Sequence, residues 1–385
     1  MYEGYEVTVM GKTRGKIDKG IETIGWKKKL LHGSVFVLIT LVLIIVFAPF
    51  IGVYYITRGP ILYHGEATLD YPLQDIFQAP DFGLEDKMLP IRTKDGHSLW
   101  TSEIEVDNPK AVIIYLTDIR QPSITYFYDH ARWMKEKGYA SILLETRGHG
   151  ESEGDVIGLG YTEVNDVKAV VEYIMKEERY QDVPIVLQGV SMGGAVAINA
   201  FGQIPEIDAL IAMSAYTSIE DTMIDMMRKY GVPEFLCKIE RPLIKFALSI
   251  VFGRDAVETL KPVEQIKNAN GRPVLFISSK EDSKVLIQNI KRFQEAYPEA
   301  EYWVRDSSEH LILNDINFIN VEEDTEYCNR ILEFLEKVRK ARQNVLSKTK
   351  KGLFFLAFFR KILVICIICI IIFNTNNTIR TIVLK

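Results

Sequence analysis

Gly189-Val190-Ser191-Met192-Gly193 follows directly on the short apolar run 184–188 and precedes a segment with helical spacing. Glycines two positions either side of a serine let a strand turn sharply into a helix, because a Cβ at either place would collide with the turn. The serine hydroxyl at the apex then stands clear of the backbone, as a nucleophile must. Such a unit needs a buried strand behind the serine and a helix in front of it. The pattern is short, so its surroundings have to carry the argument.

Those surroundings alternate. From residue 85 onwards, short apolar runs at 111–116, 140–144, 185–188, 209–214, 274–278 and 301–304 read as strands, and their unbroken apolar character predicts burial on both faces. Between them, 126–137, 160–176, 192–204 and 286–297 show helical spacing, several ending at Gly or Pro. Strand and helix in alternation predict an α/β domain over 85–345, with a mostly parallel sheet and helices on both faces. One stretch, 216–266, holds helical pieces and no convincing strand. It is read as a helical insertion placed as a lid, because segments beyond the carboxyl ends of such strands line ligand crevices. A long charged helix at 322–343 closes the domain.

Ahead of this body, 34–57 is almost uncharged and long enough to cross a bilayer. A cleaved signal peptide is the competing account, but the run exceeds a usual signal core and large residues crowd its end. A retained single-pass transmembrane helix is expected, with 1–33 as a cytoplasmic tail and 58–84 as a juxtamembrane linker. Lys27, Lys28 and Lys29 precede the run while Asp70, Asp75, Asp81, Glu85 and Asp86 follow it, so the body is expected on the extracytoplasmic side. The C-terminal segment 346–385 holds two apolar blocks, 353–359 and 362–373, split by Arg360 and Lys361. Neither block spans a bilayer alone, and the lysines ahead of them suit a cytoplasm-facing segment better than an exported body. A membrane-associated tail is the expectation there, with its topology open.

Composition narrows the chemistry. The net charge of −5 and the lack of a basic block interleaved with aromatics argue against a nucleic-acid partner. Four scattered cysteines, Cys237, Cys328, Cys366 and Cys369, make neither a disulfide framework nor a zinc site. Gly11-Lys12-Thr13 has Glu6 where a phosphate loop needs glycine, and Asn376-Asn377-Thr378 matches a glycosylation acceptor only if the tail is luminal. No cofactor and no metal are expected, and the sequence carries no sign of oligomeric state.

An activated serine needs a base, and the base needs an orienting acid, each after a later strand. Asp282 follows the strand at 274–278 and His310 follows the one ending near 304, giving the order Ser, Asp, His. With these residues in order the chain resembles the α/β-hydrolase superfamily, and within it the monoacylglycerol-lipase and serine-aminopeptidase-like group, over roughly 85–340. The segment Glu145-Thr146-Arg147-Gly148-His149-Gly150-Glu151-Ser152 is similar to that group's D-x-R-G-x-G-x-S loop, with Glu145 in place of aspartate. The resemblance implies Ser191 as nucleophile, Asp282 as orienting acid and His310 as general base. Glu281, next to Asp282, is the competing acid. His149 is implied to be a structural turn residue, and His32, His64, His97 and His130 lie outside any catalytic pattern.

An oxyanion hole takes one backbone N–H from the residue after the nucleophile and one from the loop after an early strand. Met192 is the first; Ile119, in Leu116-Thr117-Asp118-Ile119, occupies the family's position for the second. Asp118 stands where the family commonly has glycine, and a carboxylate pointing at a developing oxyanion would oppose it. The expected activity is hydrolysis of a carboxylic ester, lipid-derived where the anchor and lid place the cleft by the bilayer, through an acyl-enzyme. A serine peptidase or amidase on short peptides is the nearest alternative. A non-catalytic binding protein on the same scaffold is the other, motivated by Asp118 and Glu145.

Overall fold

The computed structural model describes residues 6–62, 77–119, 123–313 and 318–347. The strands β2 (Ile91–Arg92) and β3 (Ser98–Leu99) pair as a small hairpin, while the main sheet carries β1 (Lys87–Met88), β4 (Thr101–Ile104), β5 (Val112–Leu116), β6 (Ala140–Leu144), β7 (Ile185–Val190), β8 (Ala209–Met213), β9 (Val274–Ser279) and β10 (Glu301–Arg305). The order across the main sheet is β1-β4-β6-β5-β7-β8-β9-β10. From β6 to β10 every pairing is parallel, and β4 and β1 add an antiparallel edge.

The parallel strands β5 to β9 are buried on both faces because both faces are covered, whereas β10, expected from its sequence to be buried likewise, is the sheet's edge strand and leaves Glu301 and Val304 exposed. Val112, Ile114 and Leu116 of β5, Leu187 of β7, Leu210 of β8 and Phe276 of β9 join one core. Their neighbours Ile113, Tyr115, Val186, Ile211 and Ile277 join the other. The first core lies against α3 (Val164–Ile174) and α4 (Met192–Gln203), the second against α2 (Tyr128–Glu136) and the closing helix α10 (residues 325–347). The strand order reverses at β5, which has β6 on one side and β7 on the other. In open α/β sheets the crevice outside the carboxyl ends at such a reversal is where ligands bind, and here it receives the loops after β5 and β7.

Between β8 and β9 the chain runs through four helices, α5 (Ile219–Lys229), α6 (Glu234–Phe252), α7 (Arg254–Thr259) and α8 (Pro262–Gln265), before α9 (Gln288–Ala296) follows β9. The N-terminal helix α1 covers Glu6–Leu62 and so continues beyond the apolar run at both ends. Residues 58–62 of the expected linker are helical, 63–76 lie outside the described residues, and a short 3-10 turn at Ala79–Phe82 leads into the body. The tail from 348 lies outside the described residues.

The antiparallel edge was not visible as strand in the sequence, for a physical reason. Thr101, Ser102 and Glu103 of β4 are polar, yet all are buried. Glu103 is held by Arg179 at 2.9 and 3.0 Å and accepts the Tyr180 hydroxyl at 2.6 Å, so its charge is matched in place. Polar residues paired across the fold look like loop when read one segment at a time.

Candidate active site

Ser191 lies one residue past β7 with φ 55° and ψ −115°, in the left-handed half of conformational space that a non-glycine residue enters only under constraint. The constraint is visible. Its N–H donates to the Met213 carbonyl of β8 at 2.8 Å, and its own carbonyl accepts from Ala195 N–H at 3.1 Å in the first turn of α4. A Cβ on Gly189 would lie 2.2 Å from the Gly193 carbonyl oxygen, and one on Gly193 would lie 2.4 Å from the Leu116 oxygen. Both glycines are therefore required, one by the turn itself and the other by the chain leaving β5.

His310 comes from the loop after β10. Its imidazole Nε2 lies 2.9 Å from Ser191 Oγ, and its Nδ1 lies 2.8 Å from Asp282 Oδ2. The other Asp282 oxygen accepts backbone N–H groups from Lys284 at 2.8 Å and Val285 at 3.0 Å, which fixes the carboxylate plane. All three side chains are buried. With Nδ1–H donated to the carboxylate, Nε2 is left to accept the serine proton. Glu281 is exposed, and its N–H donates to Ser307 on the far side of the turn. The structure brings Ser191, His310 and Asp282 together and leaves Glu281 out.

Two serines that the sequence did not single out hold the histidine loop in place. Ser214 Oγ donates to the His310 carbonyl at 2.5 Å, and Ser279 Oγ donates to the Glu309 carbonyl at 2.6 Å. Both sit at carboxyl ends of strands, β8 and β9. Position after a strand was the signal that could have found them.

Met192 opens α4 and Ile119 follows β5; both line the cavity of ≈ 500 Å³ that Ser191 and His310 also line. The close approach of Gly193 to Leu116 and Thr117 is what sets the β5 loop beside the start of α4. Asp118 is buried in the same wall. Most of the remaining lining is apolar, with Leu159, Ile219, Met223, Met226, Met227 and Ile56 among it, while Thr222 and Lys284 add polar groups. Ile56 belongs to α1.

The Glu145 to Ser152 loop is a clasp behind the site. The Glu145 carboxylate accepts N–H groups from Glu151 at 2.9 Å and Ile124 at 3.3 Å, a reach that glutamate achieves from the usual aspartate position. Arg147 forks onto Asp166 at 2.6 Å and Asp95 at 2.7 Å, holding the Asp95 carboxyl well below the usual range. His149 Nδ1 lies 3.2 Å from the Arg147 carbonyl, inside the turn and away from the cavity lining. Glu163 accepts the Gly158 and Gly160 N–H groups at 2.6 and 3.0 Å, so it fixes the loop carrying Leu159. Burial, followed by the nearby Asp166 carboxylate, pushes Glu163 up to about 7. Among the described residues no group of three or more His, Cys, Asp or Glu is arranged to hold a metal ion.

Comparison with known proteins bears on the fold. The family model described as serine aminopeptidase, S33, matches residues 107–240, which include Ser191 and stop short of Asp282 and His310. Protein bem46 of Schizosaccharomyces pombe is 25% identical over 244 residues, covering 58% of this chain and 72% of its own length. YqkD of Bacillus subtilis is 26% identical over 182 residues, covering 46% of this chain and 57% of its own, so the chain spans little more than half of that relative. An esterase of Pyrococcus furiosus superposes with a TM-score of 0.52 at 24% identity, covering 68% of this chain and 94% of the esterase.

Proposed function

We propose that the chain, whose fold is that of the α/β hydrolases, is a membrane-anchored serine hydrolase that cleaves a carboxylic ester through an acyl-enzyme. The observation that carries the reading is the pair of contacts on His310, 2.9 Å to Ser191 and 2.8 Å to Asp282, at the edge of an apolar cavity.

In the proposed reaction His310 Nε2 takes the Ser191 proton as Oγ bonds to the substrate carbonyl carbon. Met192 and Ile119 supply backbone N–H groups to the oxyanion, and Asp282 stabilises the imidazolium and keeps its Nδ1–H in place. The tetrahedral species expels the alcohol, which leaves with the proton from His310. Water then gives a proton back to His310 and attacks the acyl carbon, releasing the acid and restoring Ser191.

The membrane part of the reading rests on one helix among the described residues, 29–58 of α1, long and apolar enough to cross a bilayer. Phe50 of that helix meets Phe246 of α6 edge to face at 6.0 Å, while Phe235, Ile239, Phe246 and Ile250 of α6 stay exposed. An apolar face beside a span suits a lid lying at the bilayer surface, with the body on the extracytoplasmic side as the flanking charges favour.

A fluorophosphonate probe tests the chemistry. It should label Ser191 in the wild type, and Ser191→Ala should lose labelling and at least roughly 10⁴-fold of p-nitrophenyl ester turnover. A wild-type chain inert to the probe would favour the binding-protein reading; retained turnover in the variant would remove Ser191 from the mechanism. The match to the serine aminopeptidase model favours one second reading, hydrolysis of short peptides. Acyl esters compared with aminoacyl amides on the purified chain decide between the two.

A further inference from the structure

The anchor helix does more than end near the body. Val53 and Thr57 are fully covered by it, and the Thr57 hydroxyl donates to the Val53 carbonyl at 2.8 Å. Ile157 N–H donates to the Thr57 carbonyl at 2.9 Å, and Ile157 begins the loop whose Leu159 lines the cavity with a φ of 54°. That loop is held from its other side by Tyr216, whose hydroxyl donates to the Leu159 carbonyl at 2.9 Å. One turn before Ile56, a Cβ added at Gly52 would meet the terminal methyl of Met223 on α5, another lining residue, at 3.5 Å. Ile56 thus stands in the wall between the anchored loop and the methionine face of α5.

The chemistry of that wall is specific. Met192, Met223, Met226 and Met227 are unbranched, polarizable side chains that adapt to a flexible apolar chain, and among the described residues the charged side chains in the lining are Asp118 and Lys284 near the catalytic end, with His310 as base. We infer that the stretch of α1 around Ile56 forms part of the acyl-binding wall, that Ile56 sets the acyl length accepted, and that the substrate is a single-chain fatty acyl ester. This rests on the hydrolase reading above.

The test uses the full chain in lipid vesicles and a series of p-nitrophenyl esters from butyrate to palmitate. Filling the wall with Ile56→Trp should lower the ratio of kcat/KM for palmitate over butyrate by about tenfold, and opening it with Ile56→Ala should raise that ratio, since a few methylenes in an apolar pocket discriminate by 10-fold or more. Ile56→Val, the milder opening, gives the same direction if either larger change impairs folding. The loss should appear mainly in KM for the long ester. Rates of Ser191 labelling by a small fluorophosphonate report the triad separately. Labelled, active variants with the wild-type chain-length ratio would overturn the inference and leave the hydrolase reading standing. A wild-type chain that neither reacts with the probe nor turns over any ester would remove both.

Discussion

The strand ends and the cavity wall are built on opposite principles. At the strand ends, Ser191, His310 and Asp282 are fixed by hydrogen bonds between 2.5 and 3.1 Å, to one another, to the Met213 carbonyl of β8 and, through the His310 and Glu309 carbonyls, to the hydroxyls of Ser214 and Ser279. The opposite wall, from Ile56 through α5, presents mostly carbon and sulfur. Directional bonds hold reacting atoms within the narrow tolerance that proton transfer needs, whereas apolar contact defines only volume and shape. On the proposed reading, the chain therefore separates what it does to a carbonyl from which acyl group it accepts.

That contrast can be broken from the rigid side first. Asp282→Asn keeps the shape but replaces an acceptor that fixes the imidazole tautomer, so kcat should fall by about 10⁴-fold with little change in the fold. Steady-state kinetics beside a melting curve check it; a loss of stability in place of a loss of rate would mean that the carboxylate serves the loop and not the histidine.

A second change probes the one strongly polar support of the wall. Glu163 is carried buried in the folded chain at about 7, against roughly 4.3 for a solvated glutamate. Between those values the folded state holds a proton that the unfolded state has released. The stability present at low pH is therefore lost as pH rises through the window, by about 4 kcal/mol in total. Denaturant titrations near pH 5 and near pH 8 should show the decline, and Glu163→Gln should flatten it. An equal slope in both proteins would place the titration elsewhere.

The smallest effect belongs to the apolar face. Met226→Leu conserves volume in an adaptable wall and should cost less than about 1.5 kcal/mol in stability and no more than a few-fold in kcat/KM for any ester. An effect as large as that of Asp282→Asn would erase the distinction between the two regions.

Much of the rigid half was legible in the sequence, and the reason is local. A strand buried on both faces is apolar throughout, so β5 to β9 stand out, and the elbow glycines answer to backbone clashes within a few residues. Asp282 and His310 were reachable because each follows a strand. β4 was not, since Glu103 is neutralised by Arg179, far along the chain. The wall was harder still. Nothing in the composition of α1 separates the residues facing lipid from Ile56, because both are apolar, and only the folded arrangement shows which side meets the cavity.

The hydrogen bond from Ile157 to Thr57 has a mechanical meaning. A helix clamped to its cargo is a bracket, not a leash: with α1 in a bilayer as proposed, the globular part could not tilt independently of the helix, and the mouth of the cavity would keep a constant height. A substrate arriving by diffusion within the leaflet would meet that mouth at the same height and angle on every encounter.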